Sequence, residues 1–97
     1  MTTTRDFTGL RAAITGGTSG LGLALVDELR SRGARVAFVA RTRQAVERVS
    51  LDRPNAHGIV GDISNIHQIH PIALQILGAL DGLDVLVNNA SHLGPVP

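Results

Sequence analysis

One stretch constrains this chain more than any other: Thr15, Gly16, Gly17, Thr18, Ser19, Gly20, Leu21 and Gly22 follow directly on a short apolar run. The run, residues 10–14, reads as a buried strand that stops at a turn. Beyond it, Leu21, Leu25 and Leu29 recur every four residues beside Ala24, with Asp27, Glu28, Arg30 and Arg32 elsewhere and Gly33 where a helix would stop. That spacing predicts a helix over residues 21–32. Without β-carbons the loop backbone turns tightly and lets a ligand approach closely. The helix behind it aims unpaired N–H groups and the positive end of its dipole at the same place. A phosphate is the ligand such a loop fits.

The rest of the chain alternates in the same way. Residues 35–40 form an apolar run with β-branched and aromatic content, the pattern of a strand buried on both faces. Residues 44–50 suggest a short helix with Ala45, Val46 and Val49 on one side, and residues 57–61 a brief third strand. Ser64 can cap a third helix whose apolar stripe is Ile66, Ile69, Ala73, Ile76, Leu77 and Leu80. Pro71 falls inside it, so a kink or restart near His70 is expected. After a turn at Asp81 and Gly82, residues 84–88 read as a fourth strand, and residues 91–97 as a loop. Strands alternating with helices imply an α/β fold: a partial Rossmann-type, doubly wound parallel sheet in the order 3-2-1-4. The expectation is one domain over residues 1–97, with residues 1–6 as a tail. Such sheets bind ligands beyond the carboxyl ends of strands one and four, where the strand order reverses.

Composition narrows the function classes. The chain has no cysteine, and His57, His67, His70 and His92 lack zinc-site spacing, so no metal is expected. No apolar run is long enough to span a membrane and the N-terminus lacks a signal-peptide core, which makes a cytoplasmic protein the expectation. All basic residues are arginines, seven of the nine gathered between Arg30 and Arg53, yet the formal net charge is only +1. A forked cation cluster of that kind suits one phosphate better than a nucleic acid. Only Phe7 and Phe38 could stack on bases, and Phe38 lies in a buried strand.

The glycine spacing resembles that of the short-chain dehydrogenase/reductase family, whose motif is TGxxxGxG. Two further segments are in register with family signatures: Gly61, Asp62 and Ile63 after strand three, and Asn88, Asn89 and Ala90 after strand four, with Ser91 in place of a final glycine. The resemblance extends from Phe7 onward. It implies cofactor binding by Gly16, Thr18, Ser19, Gly20, Leu21 and Gly22 at the phosphates. Asp62 and Ile63 would hold the adenine, and Asn88 and Ala90 would line the cleft.

Cofactor choice turns on the end of strand two, where an acidic residue would hold the ribose of NAD and an arginine the 2′-phosphate of NADP. Ala40 stands at the acidic position and Arg41 follows, so NADP is expected in preference to NAD. In the resembled family a tyrosine, a lysine four residues later and a serine perform the chemistry on later elements. The chain contains no Tyr and no Lys, which leaves it no catalytic residues. Two readings remain open: the NADP(H)-binding part of an oxidoreductase acting on a carbonyl or alcohol, inactive until the rest is supplied, or a non-catalytic NADP(H)-binding module. Strand four would be an apolar edge, so self-association or a completing segment is expected.

Overall fold

In a computed structural model, residues 6–89 are described. Seven elements follow in order: β1 (Arg11–Thr15), α1 (Gly20–Ser31), β2 (Arg35–Ala40), α2 (Arg43–Leu51), β3 (Ala56–Val60), α3 (Ile66–Leu80) and β4 (Val85–Asn88). The strands form one parallel sheet in the order β3-β2-β1-β4.

Strand alternation divides the core into two layers. On one face Ile14, Val36 and Phe38 pack with Val26 of α1 and with Val46 and Val49 of α2. On the other, Ala13, Ala37, Val39 and Ile59 meet Ile72, Ile76 and Leu80 of α3. β1 and β2 are buried on both sides, which is why their sequences run apolar without alternation. No helix among the described residues is long and apolar enough to cross a membrane.

Local chemistry sets the helix ends. α1 stops where Gly33 takes φ 92°, a conformation costly for other residues. The Thr42 side chain accepts from the Ala45 N–H at 3.1 Å, so α2 begins one residue earlier than expected. Asn65, not Ser64, caps α3, accepting from the His67 N–H at 2.9 Å, while Ser64 donates to Asp62 instead.

α3 departs from the sequence reading in two further ways. It passes through Pro71 as one helix with no restart, because Pro71 and the preceding turn face outward and water can serve the carbonyl that proline leaves without a donor. Its buried stripe is also narrower. Ile72, Ile76 and Leu80 are buried, while Ile66, Ile69, Ala73 and Leu77 are exposed, because the sheet beneath takes only one ridge of the helix.

A clasp fixes where β4 starts. Arg11 makes a two-pronged contact with Asp84, Nε to Oδ2 and Nη2 to Oδ1 at 3.0 Å each, and its Nη1 donates to the Asp81 carbonyl at 2.6 Å. The Arg11 guanidinium, followed by the Arg11 backbone N–H, pulls the Asp84 carboxyl from its usual value to about 2.

Candidate functional site

The carboxyl ends of the strands open onto a cleft of about 500 Å³ lined by Gly16, Thr18, Ser19, Leu21, Arg41, Asp62, Ile63 and Asn89, among others. It runs along the carboxyl ends of β1, β2 and β3 and reaches Asn89 beyond β4, where the order of the sheet reverses. Fold geometry, not local sequence, brings these distant segments together.

The glycine loop forms one wall. Gly16 and Gly20 adopt φ of 72° and 55°, the left-handed region that glycine enters at little cost. A β-carbon at Gly20 would enter open space, so the backbone there is accessible to a ligand. At Gly22 a β-carbon would collide with the Gly16 carbonyl oxygen and lie 2.6 Å from Asn89 Nδ2. Gly22 therefore lets α1 pack against the loop itself, and Gly17 does similar work, since its β-carbon would lie 2.8 Å from Phe38 Cβ. Ser19 stands at the N-cap of α1 without a side-chain cap bond, and the first turn carries no acidic residue. The N–H groups of this end and its partial positive charge suit an anion.

The loop is tied to β4 through Thr15. Its buried hydroxyl donates to Asn88 Oδ1 at 2.9 Å and accepts from the Asn89 N–H at 3.0 Å. Asn89 Nδ2 donates in turn to the Gly16 carbonyl at 3.3 Å. Asn88 thus faces Thr15, whereas Asn89 lines the cleft. Sequence reasoning placed Asn88 at the cleft and, although it read Asn89 and Thr15 as parts of motifs, gave neither a place there. The signal available was the paired asparagines, but which of the two faces the cleft depends on a one-residue register at the strand end. Ala90 lies outside the described residues.

Asp62 follows β3 at the opposite wall. Its Oδ1 accepts from the Ser64 N–H at 2.9 Å and the Ser64 hydroxyl at 2.6 Å, and its own N–H donates to Gln68 Oε1 at 2.8 Å. Ile63 beside it offers an apolar surface to the cleft.

The arginines separate into two groups. Arg53 grips Asp27 with two contacts of 2.6 and 3.0 Å, Arg30 lies 3.6 Å from the same carboxylate, and Arg32 pairs with Glu28. The hydrogen bond from Arg53 is the main reason the Asp27 carboxyl is held below its usual range. Arg35 donates to the Ala79 carbonyl at 3.3 Å. Those four are structural, so the cluster seen in sequence is not one phosphate site. Arg41, at the cleft beside Ala40, makes no hydrogen bond or ion pair among the described residues.

A parallel sheet in this order with a glycine loop at its switch point defines a Rossmann-type dinucleotide-binding half. Residues 11–97 match the short chain dehydrogenase family model, and the chain belongs to that family. It is 42% identical over 86 residues to an uncharacterized oxidoreductase of Mycobacterium tuberculosis, covering 81% of this chain and 25% of that protein. It is 34% identical over 85 residues to a fatty acyl-CoA reductase of Acinetobacter baylyi, covering 84% of this chain and 29% of the other. Among solved structures, a 3-ketoacyl-(acyl-carrier-protein) reductase from Brucella melitensis complexed with NADH superimposes with a TM-score of 0.78 at 28% identity. That match covers 84% of this chain and 34% of the reductase. The chain thus spans about a quarter to a third of the length of these relatives.

Proposed function

We propose that this chain binds NADP(H) in the cleft at the switch point and serves as the cofactor-holding part of a short-chain oxidoreductase acting on a carbonyl or alcohol. The observation that carries the cofactor choice is the end of β2. Ala40 leaves no carboxylate there to hold an unphosphorylated ribose, and Arg41 beside it at the cleft is a forked cation suited to a 2′-phosphate.

In this reading the backbone of Gly16, Thr18, Ser19 and Gly20 and the N-terminus of α1 hold the pyrophosphate. Leu21 borders the cofactor at the cleft, and Gly22 lets the loop pack against α1. Asp62 accepts from the adenine amino group, and Ile63 packs on the ring. Asn88, through Thr15, holds the loop in position, Asn89 fixes the Gly16 carbonyl, and the family motif assigns Ala90 to the cofactor. When bound, the nicotinamide supplies or accepts a hydride; this chain's residues bind and orient it. With no Tyr and no Lys in the 97 residues, the proton-transfer machinery falls to another part of the protein. The same absence favours the second reading, a non-catalytic NADP(H)-binding module. In either case the apolar edge of β4 calls for self-association or a completing segment.

The test is calorimetric titration of NADP⁺ and NAD⁺ into the wild-type chain and Arg41→Ala. NADP⁺ affinity should fall about tenfold or more in the variant, with NAD⁺ affinity little changed. Equal NADP⁺ affinity in both proteins overturns the reading.

A further inference from the structure

Between Asp62 and Gln68 the chain turns from β3 into α3, and it spends its hydrogen-bond donors on itself. The Asp62 N–H donates to Gln68 Oε1 at 2.8 Å. The Ser64 N–H and hydroxyl both donate to Asp62 Oδ1, at 2.9 and 2.6 Å. The Asn65 N–H donates to the Asp62 carbonyl at 3.1 Å. Asp62 is therefore held at its amide by Gln68, at its carbonyl by Asn65 and at its carboxylate by Ser64.

The Gln68 contact is unusual for its position. Gln68 is the third residue of α3, where a glutamine ordinarily reaches back to the N–H of the capping residue. Here the capping residue is Asn65, whose N–H goes to the Asp62 carbonyl, and Gln68 reaches past it to Asp62 itself. The bond thus ties the first turn of α3 to the end of β3 instead of closing the helix end. The residue before Asp62 is fixed as well: the Gly61 N–H donates to the Ala40 carbonyl at 2.8 Å, and Ile72 packs where a Gly61 β-carbon would stand. Asp62 is anchored both to α3 and to the end of β2 beside Arg41.

We propose that Gln68, assisted by Ser64, is a positioning residue that makes the cleft selective for a 6-amino purine over a 6-oxo purine. The inference rests on the reading of Asp62 as the acceptor for the adenine amino group. An ionised carboxylate can only accept hydrogen bonds, and it has about four places to do so, so the two donors from Ser64 leave it capacity for a base. A 6-amino group meets it as a donor. A 6-oxo group brings lone pairs against a negative charge, an opposition that costs more than a missing bond. Such discrimination needs the carboxylate fixed in place and the neighbouring donors occupied, because a donor left open at this wall would serve the oxo group. Gln68 and Ser64 meet both needs. Gln68 acts at a distance from the base, for it lies behind the residues that line the cleft.

The experiment compares NADP⁺ with nicotinamide hypoxanthine dinucleotide phosphate, its 6-oxo counterpart, by calorimetric titration of the whole chain. The proteins are wild type, Gln68→Met, Gln68→Ala, Gln68→Glu and Asp62→Asn. Wild type should bind NADP⁺ about tenfold or more tighter than the analogue. Gln68→Met and Gln68→Ala should narrow that ratio about fivefold, while Gln68→Glu, which keeps an acceptor for the Asp62 N–H, should retain it. Hydrogen exchange in the cofactor-free chain checks the bond itself. The Asp62 amide should exchange slowly in wild type and Gln68→Glu, and fast in the Met and Ala variants while the later amides of α3 stay protected. A ratio unchanged in Gln68→Met or Gln68→Ala, with Asp62→Asn abolishing the preference, overturns the role of Gln68 and leaves Asp62 as the acceptor. A wild type that binds NADP⁺ no better than the analogue overturns the reading of Asp62 and this proposal with it. A fast-exchanging Asp62 amide in the wild type overturns the proposal without any variant, so a substitution that fails to fold does not remove the test.

Discussion

Replacing Gly22 by Ala adds one methyl group where α1, the glycine loop and the end of β4 converge. That methyl would collide with the Gly16 carbonyl oxygen and lie 2.6 Å from Asn89 Nδ2 and 2.9 Å from the Gly16 carbonyl carbon. Two of these are backbone atoms, so relief requires the loop to move instead of a side chain rotating away. Overpacking of this kind costs about 3 kcal/mol at the upper end of its usual range. Alanine in place of glycine within a helix returns about 1 kcal/mol. The net loss is about 2 kcal/mol, which for a chain of this size lowers the melting temperature by about 10 °C. The displaced loop also carries the proposed pyrophosphate cradle, so NADP⁺ affinity should fall together with stability. Thermal unfolding followed by circular dichroism, with calorimetric titration below the transition, measures both. Gly20→Ala gives the contrast: its methyl meets open space, so the stability cost is the left-handed φ alone, about 1 kcal/mol, while binding suffers because the methyl occupies the ligand's side. A Gly22→Ala variant as stable as the wild type, binding NADP⁺ equally well, would refute the packing argument.

Other expectations follow from single contacts. Thr15→Val keeps shape but removes the hydroxyl shared by Asn88 and Asn89, and urea unfolding should register a loss of about 2 kcal/mol. Thr42→Ala removes the α2 cap and should cost about 1 kcal/mol in the same assay. For Asp84, the folded carboxyl titrates at about 2, below its ordinary value of 3.8. The unfolded chain therefore takes up the proton first as pH falls, so this contribution is complete above the unfolded value and is lost between about pH 4 and pH 2. Asp84→Asn should flatten that part of the stability-versus-pH curve, and an unchanged acid limb would contradict the clasp.

Much of the fold was legible because its signals are local. The apolar runs, the glycine punctuation and the helical spacing of α1 each point to one element, and the β3-β2-β1-β4 order follows from alternating strands and helices. Two features were not legible, for different reasons. Which of Asn88 and Asn89 faces the cleft depends on how β4 ends beside β1, a tertiary fact that no pattern within the pair encodes. The breadth of α3's apolar surface was visible, but how much of it one sheet can bury was not. Ile66, Ile69 and Leu77 fit a helical stripe as well as Ile76 and Leu80 do, yet only the packing reveals that they lie outside it. Arginine clustering misled in the same way: proximity in sequence joined Arg30, Arg32, Arg35 and Arg53 to Arg41, whereas the fold assigns the first four to carboxylate and carbonyl partners.

The glycine loop as a phosphate cradle is the claim on which the functional reading rests, and amide chemical shifts test it most directly. In a ¹⁵N-labelled sample titrated with NADP⁺, the backbone N–H resonances of Gly16, Thr18, Ser19 and Gly20 should move in a saturable manner, with Arg41 and Asp62 moving at the same ligand concentrations. Shifts confined to other surfaces, or none at saturating cofactor, would contradict it.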